Sequence, residues 1–221
     1  VSAIIHWYIV GLENGIDSTI MTACLESFKV AALACLLTTL IALPIAYLCS
    51  RYRNIFTYIL EKISFLGNAT PGIVIALAFV GFFAPFHQLY QSLFLMALAL
   101  SLRFMPQAFA TLKSTFMRIN PRLEEASHNL GSHSFKTFLT ISLPIALPGI
   151  LSSLALVFIT AVKELPITLI LAPPGKHYLP KKIWDSIDEA DFSQVAFPAF
   201  LLLSISCLSL LFILRQEKIK Q

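Results

Sequence analysis

Charge is what this sequence has least of. Only 13% of its 221 residues are Asp, Glu, Lys or Arg, about half the share usual in soluble domains. The scarcity is patterned as well: Val30–Cys49, Ile63–Leu102, Thr137–Val162 and Phe192–Leu214 contain none of the four. A water-soluble fold with four such stretches is excluded in favour of a membrane protein. Cysteine is sparse too. Cys24, Cys35, Cys49 and Cys207 show no CxxC spacing, so neither a disulfide framework nor a zinc site is indicated, and they read as small apolar residues. No GxxxxGK[ST] run occurs, which excludes a phosphate-cradling loop of that kind. No nucleophile with a matched base is evident, so the chain is not read as an enzyme. Internal repeats and paired ionisable residues at mid-span, the marks of a secondary transporter, are missing.

What is present is apolar sequence in lengths that fit a bilayer. A helix needs about 20 apolar residues to cross a hydrocarbon core of roughly 30 Å. The runs beginning at Val30, Thr137 and Phe192 suit one span each. The run from Ile63 is twice as long and is interrupted at Ala84-Pro85-Phe86-His87-Gln88, so it reads as two spans joined by a tight turn. The expectation is an all-α polytopic bundle of about five transmembrane helices in a single domain over residues 1–221. The spans are placed at about Ser27–Ser50, Ile63–Phe83, Gln91–Ala110, Leu143–Val162 and Phe192–Leu214. Pro44 falls within the first as a tolerated kink, and Thr70-Pro71-Gly72 within the second.

The net charge of +4 is unevenly distributed. With Arg215, Lys218 and Lys220 inside, alternation places Arg51, Arg53, Lys62, Lys113, Arg118, Arg122 and Lys136 inside as well. Glu13, Asp17, Glu26, Asp185, Asp188, Glu189 and Asp191 fall outside, with Lys29, Lys176, Lys181 and Lys182. Basic residues near membrane ends stay in the cytoplasm, so this orientation is favoured; it puts the N-terminal segment, with Trp7 and Tyr8, on the outer surface. Val1–Val10 has neither the basic start nor the cleavage pattern of a signal peptide. We therefore expect the later portion of a longer polypeptide with earlier spans missing.

The longest inner segment, about residues 111–142, is patterned. Asn120 can cap a helix, Pro121 suits its first position, and Glu124 and Glu125 sit where the helix dipole favours acids. Gly131 offers a left-handed stop, and Ser132 or Ser134 can cap a second short helix feeding the fourth span. The product is helix, glycine turn, helix on the cytoplasmic face. A helix-turn-helix DNA reader is discounted because spans on both sides leave no supporting core; no nucleic-acid partner is expected.

Residue by residue this loop is Glu125-Ala126-Ser127, three residues, Gly131, nine residues, Ile141, one residue, Leu143-Pro144. It resembles the EAA signature of binding-protein-dependent ABC importer permeases, departing only at Ser127, where Ala is usual. The resemblance implies that Glu125, Ala126, Ser127, Gly131, Ile141, Leu143 and Pro144 couple the chain to an ATPase. It further implies a cytoplasmic ATPase dimer, a second permease half and a periplasmic substrate-binding protein as partners, in the bacterial inner membrane. ATP and Mg would be bound by the ATPase, and no cofactor by this chain. Lys163-Glu164-Leu165-Pro166-Ile167-Thr168-Leu169, with Pro173 or Pro174 and Gly175, resembles the K-E-L-P-x-T-L…P-x-G stretch of ferric-iron importer permeases. Leu66…Thr70-Pro71-Gly72-Ile73-Val74-Ile75-Ala76-Leu77 resembles their L-P-G-I-V-x-A-L, with Thr70 replacing Leu, and Leu102-Arg103-Phe104-Met105-Pro106 also fits. The implied cargo is ferric iron; related permeases for sulfate, polyamines, thiamine and phosphonates share much of the pattern. Permeases of this group are often two fused halves, and one signature loop suits the C-terminal half.

Lys163, Glu164, Pro166, Pro71 and Gly72 are the candidates for the translocation path or gate. Ionisable groups at membrane depth usually face a pathway, and the structural alternative for Lys163 and Glu164 is an ion pair holding a helix end. For Arg103, an interhelical pair or snorkelling is favoured over cargo contact. His6, His87, His128, His133 and His177 are scattered. Tyr90, Tyr178 and the outer acids are read as solvated loop residues or partner contacts before metal ligands.

Overall fold

The computed structural model describes residues 18–86, 88–189 and 195–207. Among them there is helix and no strand. In chain order the helices are α1 (Ser18–Arg51), α2 (Ile55–Ser64), α3 (Leu66–Ala69), α4 (Gly72–Phe83), α5 (Leu93–Arg118) and α6 (Pro121–Asn129). There follow α7 (Ser134–Ala161), α8 (Pro166–Leu171), α9 (Leu179–Asp188) and α10 (Val195–Cys207).

Three of these, α1, α5 and α7, are long and apolar enough to cross a membrane, and the bent pair α2–α3/α4 makes a fourth if counted as one span. The fifth expected span is described only over α10, and its two ends lie outside the described residues. The centre of the bundle is α5, on which α1 and α7 both pack while also touching each other. Its buried face runs through Met96, Leu100, Phe104, Phe109, Leu112 and Phe116. Against it α1 presents Ala31, Ala34, Ala42 and Ala46, none of them exposed. Small residues of this kind let helices approach closely where lipid removes the usual hydrophobic driving force.

Gly149 of α7 marks the tightest approach to α5. A Cβ built there would lie 2.5 Å from Thr115 Cγ2 and 2.7 Å from Thr115 Cβ. Thr115 cannot turn away cheaply, because its hydroxyl donates to Thr111 O at 2.9 Å. Gly149→Ala should therefore lower stability by about 1–3 kcal/mol, the usual cost of overpacking. We expect a lower unfolding temperature in detergent, partly recovered by adding Thr115→Ala.

Several expected boundaries are corrected. The first span extends outward at least to Ser18, where the described residues begin, and its polar outer turns are partnered rather than lipid-facing. Glu26 Oε1 accepts from Lys29 Nζ at 3.0 Å and Lys176 Nζ at 3.1 Å, and Ser27 Oγ accepts from Leu179 N at 2.8 Å. The second span is not continuous: the chain bends by 105° between α2–α3 and α4. Pro71 disfavours helix at the preceding residue, and Thr70 is extended (φ −105°, ψ 122°). The third span runs on to Arg118, taking in the start of the expected inner loop. The short helix expected after Gly131 is the first turn of α7 itself. It reaches the span through a π-helical turn, Phe138–Ser142. Finally, the segment between the fourth and fifth expected spans opens with α8, whose Ile167 and Leu171 are wholly buried and which packs on α4.

Candidate coupling site and mid-span break

The loop between α5 and α7 is built as its residues require. Asn120 Oδ1 accepts from Arg122 N at 3.0 Å, Pro121 opens α6, and Gly131 closes the turn at φ +86°. Residues three apart share a helix face, and here that face is Glu124 and Ser127, both buried. Ser127 Oγ lies 3.0 Å from Thr137 Oγ1 on α7, so the substitution from the usual Ala is used as a hydrogen bond. The opposite face carries Leu123, Glu125, Ala126 and His128, with Leu130 beyond it 87% exposed. Of the signature residues, Glu125, Ala126, Gly131 and Pro144 are exposed, Ser127 is buried, and Ile141 and Leu143 are half-buried.

Glu124 was not among the residues singled out from the motif, yet it is the best-held side chain in the loop. Arg51, at the end of α1, grips its carboxylate with Nε to Oε1 and Oε2 (3.1 and 3.0 Å) and Nη2 to Oε1 (2.9 Å). Ser142 Oγ on α7 donates to Oε1 at 2.6 Å, and Tyr47 Oη on α1 to Oε2 at 3.3 Å. Arg51 Nη1 also donates to Phe116 O in α5 at 3.1 Å. Tyr47 stacks edge-on against Phe138 and Phe116, with centroids 4.8 and 5.4 Å away. Burial pushes the Glu124 carboxyl up, but the Arg51 guanidinium and the two hydroxyls outweigh it and hold it below its ordinary value. A depressed carboxylate contributes its stability above the unfolded value and loses it only as pH falls through the folded one. The contact is therefore intact at neutral pH.

The second locus is the break itself, opposite the middle of α5. Arg103 sends Nη1 to Gly67 O at 2.8 Å and also to Thr70 O. It thus satisfies carbonyls that the interrupted helix leaves free; the expected interhelical pair is formed with backbone rather than with an acid. Gly67 lies against the α5 backbone. Across the break, a Cβ on Gly72 would run into Glu164 Oε1 and would lie 3.5 Å from Pro166 Cβ. The structure thus brings together Pro71, Gly72, Glu164 and Pro166 from distant parts of the chain. Glu164 is half-buried, feels the Arg103 charge, and has no hydrogen bond to its carboxylate among the described residues. Lys163 is exposed and pairs with none of them.

No group of three or more His, Cys, Asp or Glu that could hold a metal ion occurs among the described residues. His6, His87 and Asp191 lie outside them. Tyr178 is not a solvated loop residue: it is 1% exposed, its hydroxyl has no partner among the described residues, and burial, helped by the Glu26 charge, pushes it up to about 12.

An all-helical bundle, interrupted at one span and carrying a capped loop helix beneath its long helices, defines a class of membrane transport subunit. Residues 38–218 match the family described as "Binding-protein-dependent transport system inner membrane component", and the chain belongs to it. It is 33% identical over 207 residues to the Fe(3+)-transport system permease protein FbpB 2 of Haemophilus influenzae, covering 92% of this chain and 41% of that one. It is 28% identical to a probable molybdenum ABC transporter permease protein of Haloferax volcanii (85% and 71% covered). It is 29% identical to a spermidine/putrescine transport system permease protein PotC homolog of Mycoplasma genitalium (69% and 55% covered). The chain thus spans well under half of the first relative's length. Its fold is shared with a membrane chain of the inward-facing MetNI methionine ABC transporter at TM-score 0.69 and 15% identity, over 90% of this chain and 96% of that one.

Proposed function

We propose that this chain forms one half of the pathway of an ATP-driven importer that carries ferric iron from periplasm to cytoplasm by alternating access. In this reading α6 and its loop face the cytoplasm and the outer end of α1, with α9, faces the periplasm. A separate ATPase dimer binds ATP and Mg and seats the loop, while a periplasmic binding protein delivers cargo to the other side. The chain itself contributes no ATP chemistry. The observation that carries this is the division of the loop helix into two faces. One is locked to the bundle through Glu124 and Ser127. The other leaves Glu125, Ala126 and Leu130 exposed for a partner. Small Ala126 permits close approach, and the Glu125 carboxylate can accept from basic or amide groups.

The mid-span cluster of Pro71, Gly72, Glu164 and Pro166, with Lys163 at its margin, serves as path or gate. Non-helical backbone is tolerated at membrane depth only when buried in protein or lining a cavity, so the 105° break, with Ala69 and Pro71 exposed, is assigned to the lining of the path. The iron assignment rests on 33% identity over most of the chain and on the Lys163–Leu169 stretch. The molybdenum and polyamine relatives supply the second reading, the same machine with another cargo. Uptake by proteoliposomes holding the whole importer, with ferric iron, molybdate and spermidine offered on their cognate binding proteins, separates them. ATP-dependent accumulation of molybdate or spermidine but not iron would overturn the cargo assignment.

The turn between α6 and α7 is testable on its own. Gly131 has φ +86° but open space around a built Cβ, so the penalty for a side chain is backbone strain, about 1–3 kcal/mol, without a clash. Gly131→Val should insert normally yet lose most ATP-driven uptake, read together with stimulated ATPase activity. Unchanged uptake would sink the assigned role of the loop.

A further inference from the structure

We infer that Glu124, the residue before the signature Glu125, is the positioning residue through which motion of the loop is passed to the membrane helices. This rests on the importer reading above. The two adjacent acids have opposite surroundings. Glu125 is exposed, whereas Glu124 is 8% exposed and bonded on both oxygens. What distinguishes Glu124 is where its donors come from. Arg51 and Tyr47 belong to α1, Ser142 belongs to α7, and Arg51 carries the link on to Phe116 O at the end of α5. One loop carboxylate is thereby tied to all three helices long enough to cross the membrane.

The contacts are directional. A guanidinium held by two nitrogens on a carboxylate fixes angle as well as distance. The Ser142 bond lands on the last residue of the π turn, where α7 departs from α-helical geometry, and such turns often mark functional positions. A displacement of α6 therefore moves Arg51 and Ser142 together, and the ends of α1, α5 and α7 with them. Among the described residues the other side-chain hydrogen bond from α6 to the bundle, Ser127 to Thr137, reaches α7.

The test uses the complete importer, with its second permease half, ATPase and binding protein, in proteoliposomes. The discriminating variant is the double replacement Arg51→Met/Glu124→Met. Exchanging a buried ion pair for apolar side chains of similar volume is often neutral or stabilising, so folding and coupling can be read apart. We expect the complex to assemble, to hydrolyse ATP and to unfold within a few degrees of wild type, while cargo moved per ATP falls at least about tenfold. Glu124→Gln, which keeps an acceptor for Ser142 but loses the charge for Arg51, should fall between. Glu125→Ala should weaken capture of the ATPase. Wild-type transport per ATP in the Met/Met variant overturns the inference. If the double variant fails to assemble, Glu124→Gln decides alone, and wild-type transport per ATP there overturns it equally. Failure of the wild-type chain to associate with any ATPase would instead overturn the importer reading.

Discussion

Gly67→Ala should leave little folded permease in the membrane. The side chain it adds is a single methyl group, but that methyl would lie 2.8 Å from Arg103 O and 3.1 Å from Pro106 Cδ, and would collide with Leu102 O. These are backbone and ring atoms in the middle of α5, so no rotamer change relieves the contact, and α3 must move away. Gly67 O and Thr70 O then move out of reach of Arg103. The cost combines overpacking, about 1–3 kcal/mol, with a buried charge deprived of its hydrogen bonds, worth at least as much again. Stabilities of about 5–15 kcal/mol leave limited room for such a loss. The measurement is the yield of monodisperse protein after extraction and its unfolding temperature. Gly81→Ala, with nothing within 4 Å of the added carbon, is the matched control and should behave as wild type.

Arg103→Leu attacks the same place from the other side and should also have a large effect. The variant keeps the apolar stem and removes the only described donor to Gly67 O and Thr70 O. Carbonyls without partners at membrane depth cost several kcal/mol each. The Glu164 carboxylate also loses the positive charge that faces it. We expect a strongly reduced unfolding temperature and, in whatever fraction assembles, transport reduced at least about tenfold. Arg103→Lys should be intermediate, because its compact, strongly hydrated ammonium is a poorer match for a site in which one guanidinium nitrogen reaches both carbonyls. Wild-type stability in Arg103→Leu would show that the break is held by packing alone.

Much of this architecture is legible in the sequence, for reasons that differ between elements. The scarcity of charge locates α1, α5 and α7, because long uncharged runs are what a bilayer core requires. Asn120, Pro121 and Gly131 announce their own backbone conformations, so the helix and turn of the loop follow from them. The second span is where hydropathy misleads. Ile63–Phe83 is uncharged throughout, and hydropathy cannot distinguish a straight helix from one bent at Thr70-Pro71. The local signal was Pro71 itself; what decides for a break is Arg103, 33 residues further on, which makes the exposed carbonyls affordable. Glu124 is hidden for the same reason. Its partner Arg51 is 73 residues away, and from sequence alone it is one more basic residue at a membrane end. The convergence of Pro71 and Gly72 with Glu164 and Pro166 was named in the sequence as a set of candidates, but only the fold makes it a place.

The π turn at Phe138–Ser142 gives the signature's spacing a meaning. From Ser142 onward the buried positions of α7 recur at helical intervals, through Ala146, Gly149, Ser153, Val157 and Ala161, whereas the buried residue before Ser142 is Thr137, five positions back. The widened turn absorbs one extra residue, so that Thr137 meets Ser127 while Ser142 meets Glu124. Nine residues between Gly131 and Ile141 therefore specify a phase rather than a length. Removing one residue from the turn would leave the helix long enough but rotate everything beyond it by about 100°, turning a different face of α7 toward the loop and toward α5.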